Sequence, residues 1–201
     1  PFLEQARVRA VHCRRSGLRY PFPDSVDTLL AGHFVRTITR RGKYLCLHIS
    51  AGYTLVLHFG MSGAIRLLLC DEARDFVPGR HDHFLIYFDD GKILVFNDPR
   101  RFGMIYLVED TDMDCHAAFR DMGPEPLDSA FSGRMLAQSL LRRKGPIKNC
   151  LLDQHVIAGL GNIYVCESLF EAGIDPRRPA NQLSEQACRM LRDNIVEVLQ
   201  R

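Results

Sequence analysis

The hydrophobic period changes once along the chain, near residue 110, and that single change restricts the folds open to it. Before it, apolar residues come in short runs rich in Val, Leu, Ile and aromatic side chains, at 8–13, 44–49, 54–59, 83–88, 92–96 and 104–108. Ser50-Ala51-Gly52 and Asp89-Asp90-Gly91 are turn signals between neighbouring runs, so two of the pairs read as hairpins. A helical stretch at 25–30 interrupts them. After residue 130 the spacing becomes helical, over 134–142, 147–153, 163–172 and 185–200. Asn162 is the expected N-cap of the third helix and Gly173 its stop. Ser184 caps the fourth, where Ala187, Leu191, Ile195 and Val198 form one apolar stripe. Strands first and helices afterwards predict an α+β chain, an N-terminal antiparallel β-sandwich followed by a helical domain. The acidic stretch 111–126 ends in Gly123-Pro124-Glu125-Pro126 and carries the expected boundary, giving domains at 1–115 and 116–201. No internal repeat is visible.

A chain of 201 residues, 46% apolar and 25% charged, has the composition of a globular protein rather than a disordered or low-complexity one. No apolar run approaches the 18 or so residues that a membrane span needs. The start shows no basic-then-apolar leader, so the expectation is a cytoplasmic protein with no membrane partner. The seven cysteines, Cys13, Cys46, Cys70, Cys115, Cys150, Cys166 and Cys188, lack the close pairing of a zinc ribbon. They are expected to be reduced thiols, most of them buried as small apolar groups.

Net charge is only +2, but it is unevenly spread. Residues 1–43 hold nine Arg and Lys against three acids, residues 44–139 eight against fourteen, and residues 140–148 four against none. Two basic surfaces of this kind suit a polyanion, although solvated faces would look the same in sequence.

Several groups of residues could carry chemistry. Lys43, behind Arg40-Arg41-Gly42, opens a strand; three cations there suit a phosphodiester or a charged strand end in water. Gly60-Met61-Ser62-Gly63 is either a tight turn with Met61 tucked inward or a rigid loop whose exposed Met61 can wedge between bases. Asp98-Pro99-Arg100-Arg101-Phe102-Gly103 offers two guanidiniums and a ring to phosphates and bases, or else an Asp-Pro turn with Arg101 paired to Asp98. Ala158-Gly159-Leu160-Gly161-Asn162 joins two helices as a possible phosphate cradle, with Arg142, Arg143, Lys144 and Lys148 just upstream. His81 and His83 have same-face spacing but no third metal ligand nearby, which favours phosphate contact or structure; no metal site is expected. His58, beside Gly60, could likewise donate to phosphate. Asp153 and Glu167 are expected to bridge or cap helices rather than catalyse.

Taken in order, these segments resemble bacterial formamidopyrimidine-DNA glycosylases, in the group that includes endonuclease VIII. The matching blocks are Arg40 to Leu45, His58 to Gly63, His81-Asp82-His83, Asp98 to Gly103, Gly123 to Leu127, Ile147-Lys148 through Gln154, and Gly159 to Tyr164 with Glu167-Ser168-Leu169. The resemblance implies a β-sandwich and a helix-two-turns-helix domain with DNA in the cleft between them. It implies base-excision repair of double-stranded DNA containing oxidised purines such as 8-oxoguanine and formamidopyrimidines, with the lesion flipped out and the strand nicked by β,δ-elimination at the abasic site. Lys43 matches the lysine assigned a proton-donor role next to the lesion phosphate. Met61, Arg100 and Phe102 match the side chains that fill the gap left by the flipped base, with Arg100 facing the orphaned partner. His58, Lys148 and Asn162 match residues gripping the flanking phosphates, and His81 and Arg143 match further DNA contacts.

The ends depart from the family pattern. Members begin with Pro-Glu, the proline amine acting as nucleophile and the Glu as acid/base. Here Phe2 follows Pro1, and the spacing to Lys43 is shorter by about one helix, on the order of 14 residues. Pro1 is therefore expected to be an internal proline, with the nucleophile lying outside these residues. The four-cysteine zinc finger, and with it one structural zinc, is likewise expected only in a longer parent. The 201 residues alone are expected to be catalytically inert, without cofactor, and monomeric. The rival expectation is a non-catalytic binding module for damaged or distorted DNA.

Overall fold

The computed structural model describes residues 2–201; Pro1 lies outside the described residues. The chain divides into two compact units. The first holds the residues up to Arg40 together with Tyr44–His116; the second holds Arg41–Lys43 and Ala117–Arg201.

The first unit contains eight strands: β1 (Val8–Cys13), β2 (Val35–Arg41), β3 (Tyr44–Ile49), β4 (Tyr53–His58), β5 (Ala64–Leu68), β6 (Asp82–Phe88), β7 (Ile93–Asn97) and β8 (Met104–Glu109). They form two four-stranded sheets, ordered β1-β6-β7-β5 and β2-β3-β4-β8. Both expected hairpins form: Cys46 faces Val56 across β3 and β4, and Ile86 faces Leu94 across β6 and β7. Alternation decides which side chains enter the core. Leu47, Leu55 and Leu57 of one sheet join Phe84, Ile86, Phe88, Leu94 and Phe96 of the other in a single buried cluster. The remaining face of β6 and β7 buries Leu85, Ile93 and Val95 against Ala73 and Phe76, which lie in and just after a short helix, α2 (Cys70–Arg74). The earlier helix α1 (Val26–Leu30) buries Val26 and Leu30.

The second unit holds α3 (Gly133–Leu140), α4 (Ile147–Leu152), α5 (Asn162–Glu171) and α6 (Glu185–Gln200), around a core that includes Leu136, Leu151, Val165, Leu191 and Ile195. Ser132 and Ser184 cap α3 and α6, their hydroxyls accepting from the amides of Met135 at 3.3 Å and Ala187 at 3.2 Å.

Three expectations are corrected. β2, β5 and α2 carry no strong sequence signal: β2 is Thr and Arg on most positions, β5 is a half-exposed strand at its sheet's edge, and α2 has five residues. Asn162 is not an N-cap; Gly161 holds that place in extended geometry and Asn162 is the first helical residue. Four of the seven cysteines, Cys13, Cys70, Cys115 and Cys166, are exposed, so burial is the minority state.

Gly133 sets how closely α3 approaches α6. A Cβ there would stand 2.5 Å from the Arg189 Cα, a backbone atom that cannot swing away. Gly133→Ala should therefore destabilise the chain by about 1–3 kcal/mol, as overpacking does. Urea unfolding followed by helical circular dichroism reads this; an unchanged midpoint would show that the helices part without cost.

Candidate nucleic-acid interface

In the first unit the candidate residues sit on two loops, 59–63 between β4 and β5 and 98–103 between β7 and β8. Asp98 ties them together. Its side chain is fully buried, and its two carboxylate oxygens accept from the Ser62 hydroxyl at 2.7 Å and the Gly103 amide at 2.8 Å. Its own amide donates to the His81 carbonyl at 3.0 Å, and its carbonyl accepts from His83 Nε2 at 3.0 Å. Asp98 is thus the hub of the loops, and Arg101 meets it through a backbone hydrogen bond at 3.3 Å. Gly60, at φ 61°, would place a Cβ 2.7 Å from the Phe102 carbonyl carbon, so the two loops can meet only because that position lacks a side chain.

This anchoring turns an apolar and a cationic group outward. Met61 is 77% exposed, which removes the reading that tucks it inward, and Phe102 is 42% exposed. The Arg100 guanidinium lies 4.6 Å over the Phe102 ring, a cation–π contact that holds both near one geometry. His58 Nδ1 accepts the Gly60 amide at 3.0 Å. In the neutral ring the proton therefore sits on Nε2, which becomes the donor. The two histidines of the 81–83 pair separate in role. His83 is buried, and burial followed by the nearby Arg15 charge pushes its pKa below the usual histidine range. His81 stays at the surface, its ring 6.1 Å from that of His83.

In the second unit Arg41 is used structurally. It donates to Glu125 at 2.7 Å and to the carbonyls of Met122 and Gly123 at 3.1 and 2.8 Å, so the expected three-cation cluster loses one member. Lys43 is exposed, and its Nζ lies about 4.0 Å from where a first side-chain carbon would sit on Gly161. Partial burial of the ammonium lowers its pKa from the ordinary lysine value. Next to it, α5 opens with amides that have no partner within the helix. An ammonium beside a helix N-terminus becomes favourable when an anion lies between them. Asn162 is exposed in the first turn of α5, its side-chain oxygen 3.9 Å from the Cys166 sulfur. Gln154 holds the preceding turn: its oxygen accepts from the Gly159 amide at 2.8 Å and its nitrogen donates to the Leu160 carbonyl at 3.1 Å.

Arg143 donates to Asp153 at 2.7 Å, a contact that fixes the guanidinium and leaves it half-exposed. Burial opposes ionisation of Asp153, but the His155 amide and Arg143 outweigh it and hold the carboxyl below the usual range. Asp153 is thus a bridge, as expected, and Glu167 is exposed on α5. Lys148, in α4, is half-buried beside an apolar groove of about 510 Å³ lined by Cys166, Leu169, Phe170 and Ile174. Ser62, Asp98 and Gln154 are positioning groups that the sequence motifs do not mark as such. A hydroxyl, a carboxylate and an amide within or before glycine-rich loops are the signal that could have found them. Among the described residues no three His, Cys, Asp or Glu side chains come together as metal ligands would. No helix among them is long and apolar enough to cross a membrane.

Comparison with known proteins bears on both units. Residues 1–105 match the formamidopyrimidine-DNA glycosylase N-terminal domain, and residues 122–201 match the formamidopyrimidine-DNA glycosylase H2TH domain. The formamidopyrimidine-DNA glycosylase of Dinoroseobacter shibae is 44% identical over 190 residues, covering 92% of this chain and 67% of the relative. That of Stenotrophomonas maltophilia strain K279a is 44% identical over 200 residues, covering 99% and 71%. The Lactococcus lactis enzyme in complex with FAPY-dG containing DNA superposes with a TM-score of 0.89 at 31% identity, over 98% of this chain and 73% of that one. The same enzyme non-covalently bound to DNA containing an AP site gives 0.89 at 32% identity, over 98% and 74%.

Two predictions follow from the loop geometry. Asp98→Ala leaves the Ser62 hydroxyl and Gly103 amide without their acceptor, at about 1–3 kcal/mol for each donor that stays buried. Thermal unfolding should show a loss of that order, and an unchanged melting temperature would remove Asp98 as the hub. The folded pKa of His83 lies below its unfolded value of about 6.5. Its neutral form therefore contributes stability that is present above about pH 6.5 and lost as pH falls through the folded value. His83→Gln, which keeps a donor for the Asp98 carbonyl, should narrow the stability loss between pH 7.5 and 5.5. Urea midpoints at the two pH values check it, and equal losses in parent and variant would place the titration elsewhere.

Proposed function

The chain belongs to the formamidopyrimidine-DNA glycosylase family, and on that premise we propose that it recognises oxidised purines in double-stranded DNA for base-excision repair, as part of a protein that excises them and nicks the strand at the resulting abasic site. The observation that carries this reading is the pair of stapled loops. Met61, Arg100 and Phe102 stand exposed on a rigid base, two apolar groups and one planar cation. That set suits the gap left when a damaged nucleotide is extruded from the stack. Met61 and Phe102 replace lost stacking, and the Arg100 guanidinium hydrogen-bonds the orphaned partner base, guanidinium being a strong donor to base-edge acceptors. A rigid wedge loses little conformational entropy on insertion, so more of its contact energy remains for holding the lesion out.

The remaining residues grip and protonate. His58 offers Nε2–H to a phosphate beside the lesion, with Nδ1 engaged by Gly60. Asn162 and the first amides of α5 suit a second phosphate, with Lys148 and Arg143 adding charge. Lys43 stands beside that helix start, and its lowered pKa brings it nearer to neutrality and makes it the better acid. Its part is proton transfer next to the lesion phosphate, not nucleophilic attack. His81 provides a further contact on the first unit.

Fluorescence anisotropy with matched duplexes tests the reading. Replacing Met61, Arg100 and Phe102 together by alanine should weaken binding to abasic-site DNA at least tenfold more than to undamaged duplex, since two inserted groups of this kind are worth about 1–3 kcal/mol each. The parent should also favour lesions opposite cytosine over those opposite adenine. Equal losses on the two duplexes would refute the gap-filling assignment.

A further inference from the structure

A cavity of about 350 Å³ opens in the first unit among Arg14, Arg15, Arg80, His81, Asp82 and Arg101. Its charge balance is unusual. Asp82 is 2% exposed, and its carboxylate is already committed to Arg66 at 3.1 Å, the Asn97 amide at 2.7 Å and the Gly79 backbone at 2.8 Å. Arg14 donates to the carbonyls of Gly79 and Asp82, which are neutral acceptors, so its charge stays uncompensated while its position is fixed. Arg15, Arg80 and Arg101 are exposed, and none of them forms an ion pair with a carboxylate of the described residues. Of the three successive residues 100–102, Arg101 alone lines the cavity, and it does so from a φ of 60°, a conformation that side chains rarely adopt. Four guanidiniums around one concavity repel one another unless an anion joins them.

We propose that this cavity holds a backbone phosphate of the bound duplex, distinct from the phosphates beside the lesion, and so widens the protein's grip on DNA beyond the gap-filling loop. The inference rests on the proposed function for its occupant. The chemistry selects a phosphodiester: guanidinium forks match its two non-bridging oxygens, and His81 at the rim adds a donor. Guanidiniums dominate the lining, which holds no Phe or Tyr ring on which a base could stack, so the pocket would read charge and not sequence. Its neighbour Arg101 follows Arg100 in the chain, so a phosphate seated here would also fix the register of the gap-filling residues.

The test uses Arg15→Ala with Arg80→Ala in the full chain. Arg14 is left in place because it holds the Gly79 and Asp82 carbonyls. Binding is measured between 50 and 200 mM salt on an abasic-site duplex and an undamaged one. The double variant should bind both duplexes more weakly by the same factor. Its salt slope should fall by about 0.9 for each phosphate released, so its deficit shrinks roughly three- to fourfold across that range. Arg15→Lys with Arg80→Lys should keep most of the slope, which separates lost charge from a folding defect. An unchanged slope in the alanine variant overturns the proposal. Inorganic phosphate at matched ionic strength is the second arm: saturable thermal stabilisation of the parent, with no change of DNA slope in the variant, assigns the pocket to a free oxyanion and also overturns it. If the parent binds both duplexes equally, the repair reading fails, while the slope on undamaged DNA still decides the pocket.

Discussion

The buried carboxylate of Asp98 is the interaction on which the first unit's candidate surface depends. A charge with no solvent exposure is costly unless its oxygens are matched by donors. Here the donors are the Ser62 hydroxyl and the Gly103 amide, one from each loop. Satisfying the charge and joining the loops are therefore the same event. Its backbone adds the His81 carbonyl and the His83 ring, so β6 is drawn into the same knot. Because Gly60 lets the Phe102 backbone come within contact, the loops touch there as well as at the carboxylate. The outcome is a stiff platform carrying Met61, Arg100 and Phe102, whose exposure would be unfavourable in a free monomer unless a ligand later covered it.

The second unit reaches a comparable result with neutral groups. Gln154 spans its turn with three hydrogen bonds, to Leu152, Gly159 and Leu160, and so fixes the approach to α5. The Lys43 ammonium lies about 4.0 Å from where a Cβ on Gly161 would sit, at the start of that helix, where Asn162 is the first helical residue. In both units the positioning groups are at least partly buried and hydrogen-bonded, while the groups offered to a ligand keep solvent exposure and include several cations. That division is what separates a recognition surface from a merely charged one.

Much of this was legible in the sequence, for physical reasons that differ by element. Hairpins such as 44–49 with 54–59 announce themselves because alternation and turn residues are local signals. α6 does so because sixteen residues give its stripe four repeats and Ser184 marks its start. β2 and β5 were silent because strands with exposed positions need little apolar content; their stability comes from partners fixed elsewhere in the chain. The family resemblance points to Met61, Arg100 and Phe102 through their matching residue blocks, but not to what holds them exposed. That answer is a pairing between residues 62 and 98, thirty-six positions apart, which no local pattern encodes. Asn162 misled because an Asn before an apolar run usually caps, whereas here Gly161, in extended geometry, holds the N-cap place and the helix starts one residue earlier.

The arginines show how much information net charge hides. Arg41, Arg66 and Arg143 are paired to Glu125, Asp82 and Asp153, each carboxylate at most half-exposed, and these guanidiniums belong to the architecture. Arg15, Arg80 and Arg101 carry the same charge with no such partner among the described residues, and they cluster around one cavity. Summed over the chain, the two classes and the acids nearly cancel to +2. A passing polyanion does not feel that sum; within a Debye length of about 8–10 Å it feels the unpaired charges in front of it. A structural arginine loses stability when truncated and a recognition arginine loses salt-dependent affinity. The two classes are therefore separable by experiment even where sequence and total charge treat them alike.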